Sequence, residues 1–244
     1  MNEQTLEKMK RMKLYGMYKS FRHVVESSAN LSLNSDELVA QLIDSEWDDR
    51  NNRAVDRSLR NARFRYKASI EMLDYSQHRK LDQTQIHRLA DCNFIRQSQN
   101  LIITGSTGTG KSFLASAIGN QACSLGYKVY YANTARLISQ LKMMKADGSS
   151  LKELNRLEKQ DLLILDDFGI QPFDTQSRML LMEIIEDRHG KKSTLIAGQV
   201  PVTAWYDIIG DQTIADAILD RLVNDAHQIE LKGESLRRKR NIEE

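Results

Sequence analysis

The stretch Gly105-Ser106-Thr107-Gly108-Thr109-Gly110-Lys111-Ser112 constrains this chain more than any other. It fits the pattern G-x-x-x-x-G-K-[ST]. The apolar run Leu101-Ile102-Ile103-Thr104 ahead of it reads as a buried strand, and Phe113-Leu114-Ala115-Ser116-Ala117-Ile118 behind it reads as the start of a helix. Glycine at positions 105, 108 and 110 permits positive φ, which turns backbone N–H groups inward around phosphate oxygens. The positive end of the following helix adds to that attraction. Lys111 is spaced to reach β- and γ-phosphates, and the Ser112 hydroxyl to bind Mg²⁺. The strand before and the helix after separate this loop from a chance glycine-rich turn, so residues 105–113 read as a site for ATP and Mg²⁺.

From Asn100 onward apolar strands alternate with helices. The pattern predicts strands at about 101–104, 127–132, 161–165, 194–198 and 227–231, with helices at about 111–125, 134–146, 150–159, 175–190 and 213–224. Uniformly apolar strands in such an alternation belong to an α/β fold, with a parallel sheet flanked by helices. Ligands of these sheets sit at the carboxyl ends of the strands. Two further groups arrive there. Leu162-Leu163-Ile164-Leu165 ends in Asp166 and Asp167, carboxylates suited to holding Mg²⁺ beside Ser112 (Asp166) and to orienting or deprotonating a water (Asp167). Thr194-Leu195-Ile196-Ala197-Gly198 delivers Gln199, whose amide either meets a γ-phosphate or its attacking water, or caps a turn before Pro201. Arg221, late in the helix at 213–224, is by itself an ordinary surface or salt-bridged arginine, and Arg237 belongs to a basic tail that reads equally as a solvated terminus.

The first hundred residues are different in kind. Residues 1–28 carry apolar positions at helical spacing interleaved with lysine and arginine. A second helix is expected from Asn34 or Ser35 to about residue 67. Its later half holds seven basic residues against one acid, Asp56, and the spacing of Arg50, Arg53, Arg57 and Arg60 aligns four guanidinium groups on one stripe. A solvated face is the plain reading of such a run, but its one-sided charge and its arginines suit the phosphate backbone of double-stranded DNA as well. A net charge of only +2 means that any such attraction comes from local clustering. The boundary of the helical N-terminal domain (1–70) is expected near residue 70, with connecting helices over 71–99 and the nucleotide domain over 100–244. Cys92 and Cys123 lack ligand or bridge spacing, which reads as a reduced, cytoplasmic protein, and no apolar run approaches a membrane span.

The phosphate loop, Leu163-Ile164-Leu165-Asp166-Asp167-Phe168-Gly169, the Ala-Asp-Ala-Ile-Leu-Asp-Arg segment ending at Arg221 and the Lys-Gly-Glu-Ser-Leu-Arg segment ending at Arg237 together resemble AAA+ ATPases of the DnaC/IstB group. Ile208-Ile209-Gly210-Asp211 and the start Met9-Lys10-Arg11-Met12-Lys13-Leu14-Tyr15-Gly16-Met17 look like IstB, the transposition helper of insertion sequences. The likeness covers essentially the whole chain. It implies an AAA+ core behind a small all-α domain, without a full C-terminal lid. It also implies Asp166 and Asp167 as the Walker B pair, Gln199 as sensor 1, Arg221 as a finger reaching a neighbour's γ-phosphate and Arg237 as sensor 2. The pattern departs from many members of the class in having Asp167 where glutamate is common, and Gln199 where asparagine, serine or threonine is usual. Lys142 and Lys145 fall where this group inserts a helix facing nucleic acid, though a solvated hairpin fits them as well. The implied protein is an ATP-hydrolysing homo-oligomer, ring or helical, that assembles on DNA and recruits a cognate transposase; the rival is a helicase loader of the DnaC kind.

Overall fold

The computed structural model describes residues 2–27, 34–75, 81–146 and 148–235. They fall into two compact units, Met1–Arg57 and Ser58–Glu244, divided about a dozen residues before the expected boundary near 70. The reason lies in residues 58–75, whose apolar side chains Ala62, Ala68, Ile70 and Leu73 are buried in the core of the larger unit.

In the first unit, helices α1 (Asn2–Arg11) and α2 (Tyr15–Glu26) precede α3 (Ser35–Ala62). The expected single helix over 1–28 is therefore two, broken at Lys13, which takes φ +60°. The break has a tertiary cause. A Cβ on Gly16 would lie 2.1 Å from the Ser45 carbonyl oxygen, so only glycine lets α2 approach α3 this closely. Across that contact the buried Glu46 carboxylate accepts hydrogen bonds from the backbone N–H groups of Gly16 (2.8 Å) and Met17 (3.3 Å). These are orphan donors of the first turn of α2, satisfied by a residue 30 positions away. Burial pushes the Glu46 carboxyl upward, but hydrogen bonds from Arg50, Met17 and Gly16 outweigh it and hold the group below its usual range.

The second unit is a five-stranded parallel sheet in the order β2-β3-β4-β1-β5, built from β1 (Asn100–Gly105), β2 (Val129–Asn133), β3 (Leu162–Phe168), β4 (Ser193–Gly198) and β5 (Ala226–Leu231). Side chains alternate between faces with period two, and both faces are covered. Leu101, Ile103, Leu162, Ile164, Leu195 and Ala197 join one core, with α4 (Gln83–Ala90), α5 (Asn93–Arg96) and α6 (Lys111–Ser124) over it. Ile102, Leu163, Leu165 and Ile196 join the other, under α7 (Thr134–Ala146), α8 (Ser150–Glu158), α9 (Thr175–Arg188), α10 (Trp205–Ile209) and α11 (Gln212–Val223).

One buried charge fastens the second core. Arg188, at the end of α9, is 1% exposed. Its guanidinium donates to the carbonyls of Leu157 (2.6 Å), Gln160 (2.9 Å) and Ser193, and to Thr194 Oγ1 (3.2 Å). It thus ties the end of α8 to the start of β4. Burial lowers its pKa to about 10, while Asp161 and Glu158 oppose the shift. Arg188→Met leaves these acceptors without their donor and is expected to cost about 3 kcal/mol. A urea midpoint that drops at constant slope checks this; an unchanged midpoint contradicts it.

Candidate nucleotide site

The site begins where β1 gives way to α6. Gly105, Gly108 and Gly110 take φ of +148°, +84° and +97°, and Gly110 forms the left-handed N-cap of α6. Gly105 has a second constraint, since a Cβ there would lie 2.3 Å from the Leu231 carbonyl oxygen on the adjacent β5. Lys111 is buried and folds back over the loop, donating from Nζ to the carbonyls of Gly105 (2.7 Å) and Ser106 (2.8 Å). Thr109 is also buried and closes the loop through Oγ1 to Ser106 O at 2.8 Å. A loop held by its own carbonyls in this way is shaped before a ligand arrives. Gln199 belongs to the same place, because Thr107 Oγ1 donates to its Oε1 at 2.8 Å.

The two acids sit where β3 loses its register. The pairing of β3 with β4 shifts between Leu165 and Phe168, and Asp167 takes φ +56°, unusual for a residue other than glycine. Phe168 resumes the core immediately, against Trp205 at 4.6 Å and Phe173 at 5.5 Å between ring centroids. Asp166, 1% exposed, accepts from the Tyr131 hydroxyl through Oδ2, while its backbone oxygen accepts from Thr134 Oγ1 at 2.8 Å. Burial and the bond to Asp166 push the Tyr131 phenol well above its ordinary value, so it remains a donor. Asp167 is half-buried and accepts through Oδ2 from both Asn133 Nδ2 (2.8 Å) and Arg65 Nη1 (3.0 Å). The same guanidinium nitrogen lies 3.5 Å from Asp166 Oδ2. Among the described residues no donor reaches Oδ1 of either acid. Hard carboxylate oxygens left open at the end of β3 suit Mg²⁺, which Asp166 would hold together with the Ser112 hydroxyl.

Tyr131, Asn133, Thr134 and Arg65 were not legible as site residues. Asn133, the polar end of a buried strand, and Thr134, the first residue of the helix after it, carried a faint signal, and the sheet register sets Asn133 against Asp166. Arg65 was counted only within the basic run.

Arg221 is not brought to this site within one chain. Asn100, the first residue of β1, donates from Nδ2 to the carbonyls of Arg221 (3.0 Å) and Leu222 (3.3 Å), fixing the end of α11 at the amino edge of the sheet. The phosphate loop leaves the opposite edge, about 17 Å along the strand. The Arg221 side chain pairs through Nε with Glu186 Oε2 at 2.6 Å and donates from Nη1 to Ala217 O at 2.9 Å. Arg237 lies outside the described residues.

The basic stripe is less free than its spacing implied. Arg50 pairs with Glu46 and Arg53 with Asp49, each at 2.7 Å and one turn apart on α3. Arg57 and Arg60 are exposed and have no carboxylate partner among the described residues. Lys142 pairs with Asp174, the N-cap of α9, at 2.6 Å, whereas Lys145 is exposed near the end of α7. No group of three or more metal-ligating His, Cys, Asp or Glu side chains occurs among the described residues, and no helix there is long and apolar enough to cross a membrane.

The model of the IstB-like ATP binding protein family matches residues 7–244. A Sinorhizobium fredii protein described as an insertion-sequence ATP-binding protein is 42% identical over 234 residues, covering 96% of each chain. The corresponding IS21 protein of Pseudomonas aeruginosa is 29% identical over 95% of this chain and 87% of its own. Among solved structures, the DnaC helicase loader superposes with a TM-score of 0.56 at 22% identity, covering 68% of this chain and 98% of its own, a likeness of fold. Taken with the phosphate loop and the five-stranded parallel sheet, these matches make the chain an AAA+ ATPase belonging to the family of IstB-like ATP binding proteins.

Proposed function

We propose that this ATPase is a regulator of transposition that oligomerises on double-stranded DNA in its ATP- and Mg²⁺-bound state, recruits and activates a cognate transposase, and disassembles on hydrolysis. The observation that carries this reading is the separation of the phosphate loop from Arg221 at opposite edges of one sheet. A subunit so built offers a nucleotide site on one side and an arginine on the other, which is the requirement for a heterologous ring or filament. Magnesium would supply charge neutralisation across the phosphates. The chain's own residues do the rest: the loop amides and Lys111 bind the triphosphate, Ser112 and Asp166 hold the cation, Asp167 orients a water, Gln199 senses the γ-phosphate, and Arg221 serves the neighbour.

The DNA contact is assigned to Arg57 and Arg60 ahead of Arg50 and Arg53, whose charges Glu46 and Asp49 already offset. Lys145 is assigned ahead of Lys142 on the same ground. The insertion-sequence relatives favour a transposase as the partner over a replicative helicase. Light scattering of the full chain with 50-base-pair duplex DNA is expected to show growth in mass only with ATP and Mg²⁺. The same mass with and without nucleotide contradicts the reading. Pull-down against the transposase and a replicative helicase separates it from the loader alternative.

A further inference from the structure

We propose that Arg65 is a positioning residue for ATP hydrolysis, holding Asp167 by one oxygen and shielding Asp166 beside it. This rests on the reading that Asp166 and Asp167 serve the reaction. Its geometric basis is the asymmetry of the two carboxylates. Arg65 Nη1 and Asn133 Nδ2 converge on the same atom, Asp167 Oδ2, at 3.0 and 2.8 Å. Tyr131 takes Asp166 Oδ2, and Arg65 Nη1 stands 3.5 Å from that oxygen as well. Each acid is therefore gripped on Oδ2, leaving Oδ1 for water or cation. Two donors on one oxygen fix the carboxylate plane, which a lone asparagine would leave free to rotate about χ2.

The chain holds Arg65 in place from both sides. α3 stops at Ala62, and Arg63 turns the backbone with φ +60°. Phe64 then wedges against α6, where a Cβ on Gly119 would lie 2.5 Å from its ring, and meets Tyr131 edge-on at 6.2 Å. Tyr66 lies against Phe113, next to Ser112, at 6.2 Å between centroids, and the Arg65 guanidinium lies 5.6 Å from the Tyr66 ring centre. Phe64 and Tyr66 thus anchor the segment to α6 and β2, and the arginine between them reaches the acids. It adds a positive charge to a place where a divalent cation must also bind, so its removal has two opposite consequences. Asp167 loses a donor and orients water less well, while the cation loses a competing charge and binds more tightly.

The test uses the full chain with duplex DNA. Arg65→Ala is expected to lower kcat about tenfold with the ATP KM within about twofold, because the arginine acts on an acid and not on the nucleotide. Mn²⁺ affinity of the ATP-bound protein, read by electron paramagnetic resonance independently of turnover, is expected to tighten about threefold or more. Arg65→Lys keeps the charge and is expected to restore the Mn²⁺ affinity while recovering only part of kcat. Unchanged or weaker Mn²⁺ binding in Arg65→Ala, or wild-type kcat, overturns the assignment. Asp167→Asn separates the two levels. If it is inactive while Arg65→Ala is unaffected, only the role of Arg65 falls; if it hydrolyses normally, the role of Asp167 falls with it.

Discussion

Lys111→Ala is expected to lose measurable ATP binding, at least a hundredfold in affinity. Its ammonium is fixed between the carbonyls of Gly105 and Ser106 at 2.7 and 2.8 Å, at the mouth of a loop whose glycines already hold positive φ. An incoming triphosphate exchanges those neutral acceptors for anionic ones, and charge-assisted hydrogen bonds of that kind are about twice as strong as neutral ones. Losing two of them amounts to about 3 kcal/mol, or roughly two decades in Kd. Titration with a fluorescent ATP analogue measures it, with circular dichroism as the control for folding. Affinity within threefold of wild type removes the phosphate-loop assignment.

Arg221→Ala has the second large expected effect, and a different one. ATP affinity should stay near wild type, because the side chain lies at the edge of the sheet away from its own phosphate loop. Turnover at protein concentrations that support assembly should fall about 10³-fold, the scale of an arginine supplied to a phosphoryl-transfer site from a neighbour. The Glu186 contact does not forbid this role. Glu186 is about half exposed, and partly exposed ion pairs contribute about 1 kcal/mol or less, a tether that assembly easily overcomes. Normal turnover by Arg221→Ala in the assembled state removes the finger.

The parallel core was legible because its determinants are local. The strand at 194–198 was placed within one residue of β4, and the helices at 134–146 and 150–159 match α7 and α8 to within a residue, since buried parallel strands read as apolar runs and the helices between them carry their own periodicity. What was not legible depends on distant partners. The break before α2 is set by Gly16 meeting Glu46, and the far grip on Asp167 comes from Arg65, 102 residues earlier. No pattern in a short window contains either pair. The irregular pairing that aims Asp166 and Asp167 likewise belongs to the sheet and not to β3 alone. The arginine stripe illustrates a nearer failure. Counting bases from residue 50 onward left out Glu46 and Asp49, the acids one turn back that neutralise Arg50 and Arg53.

Mixing the two inactive variants tests most directly whether one copy completes the site of another. Lys111→Ala keeps its arginine, and Arg221→Ala keeps its phosphate loop. In an equimolar mixture about a quarter of the interfaces unite the intact loop of one with the intact arginine of the other. Turnover of the mixture is therefore expected to rise to about a quarter of wild type, well above the sum of its parts. A mixture no more active than the two variants measured separately contradicts a site shared between subunits.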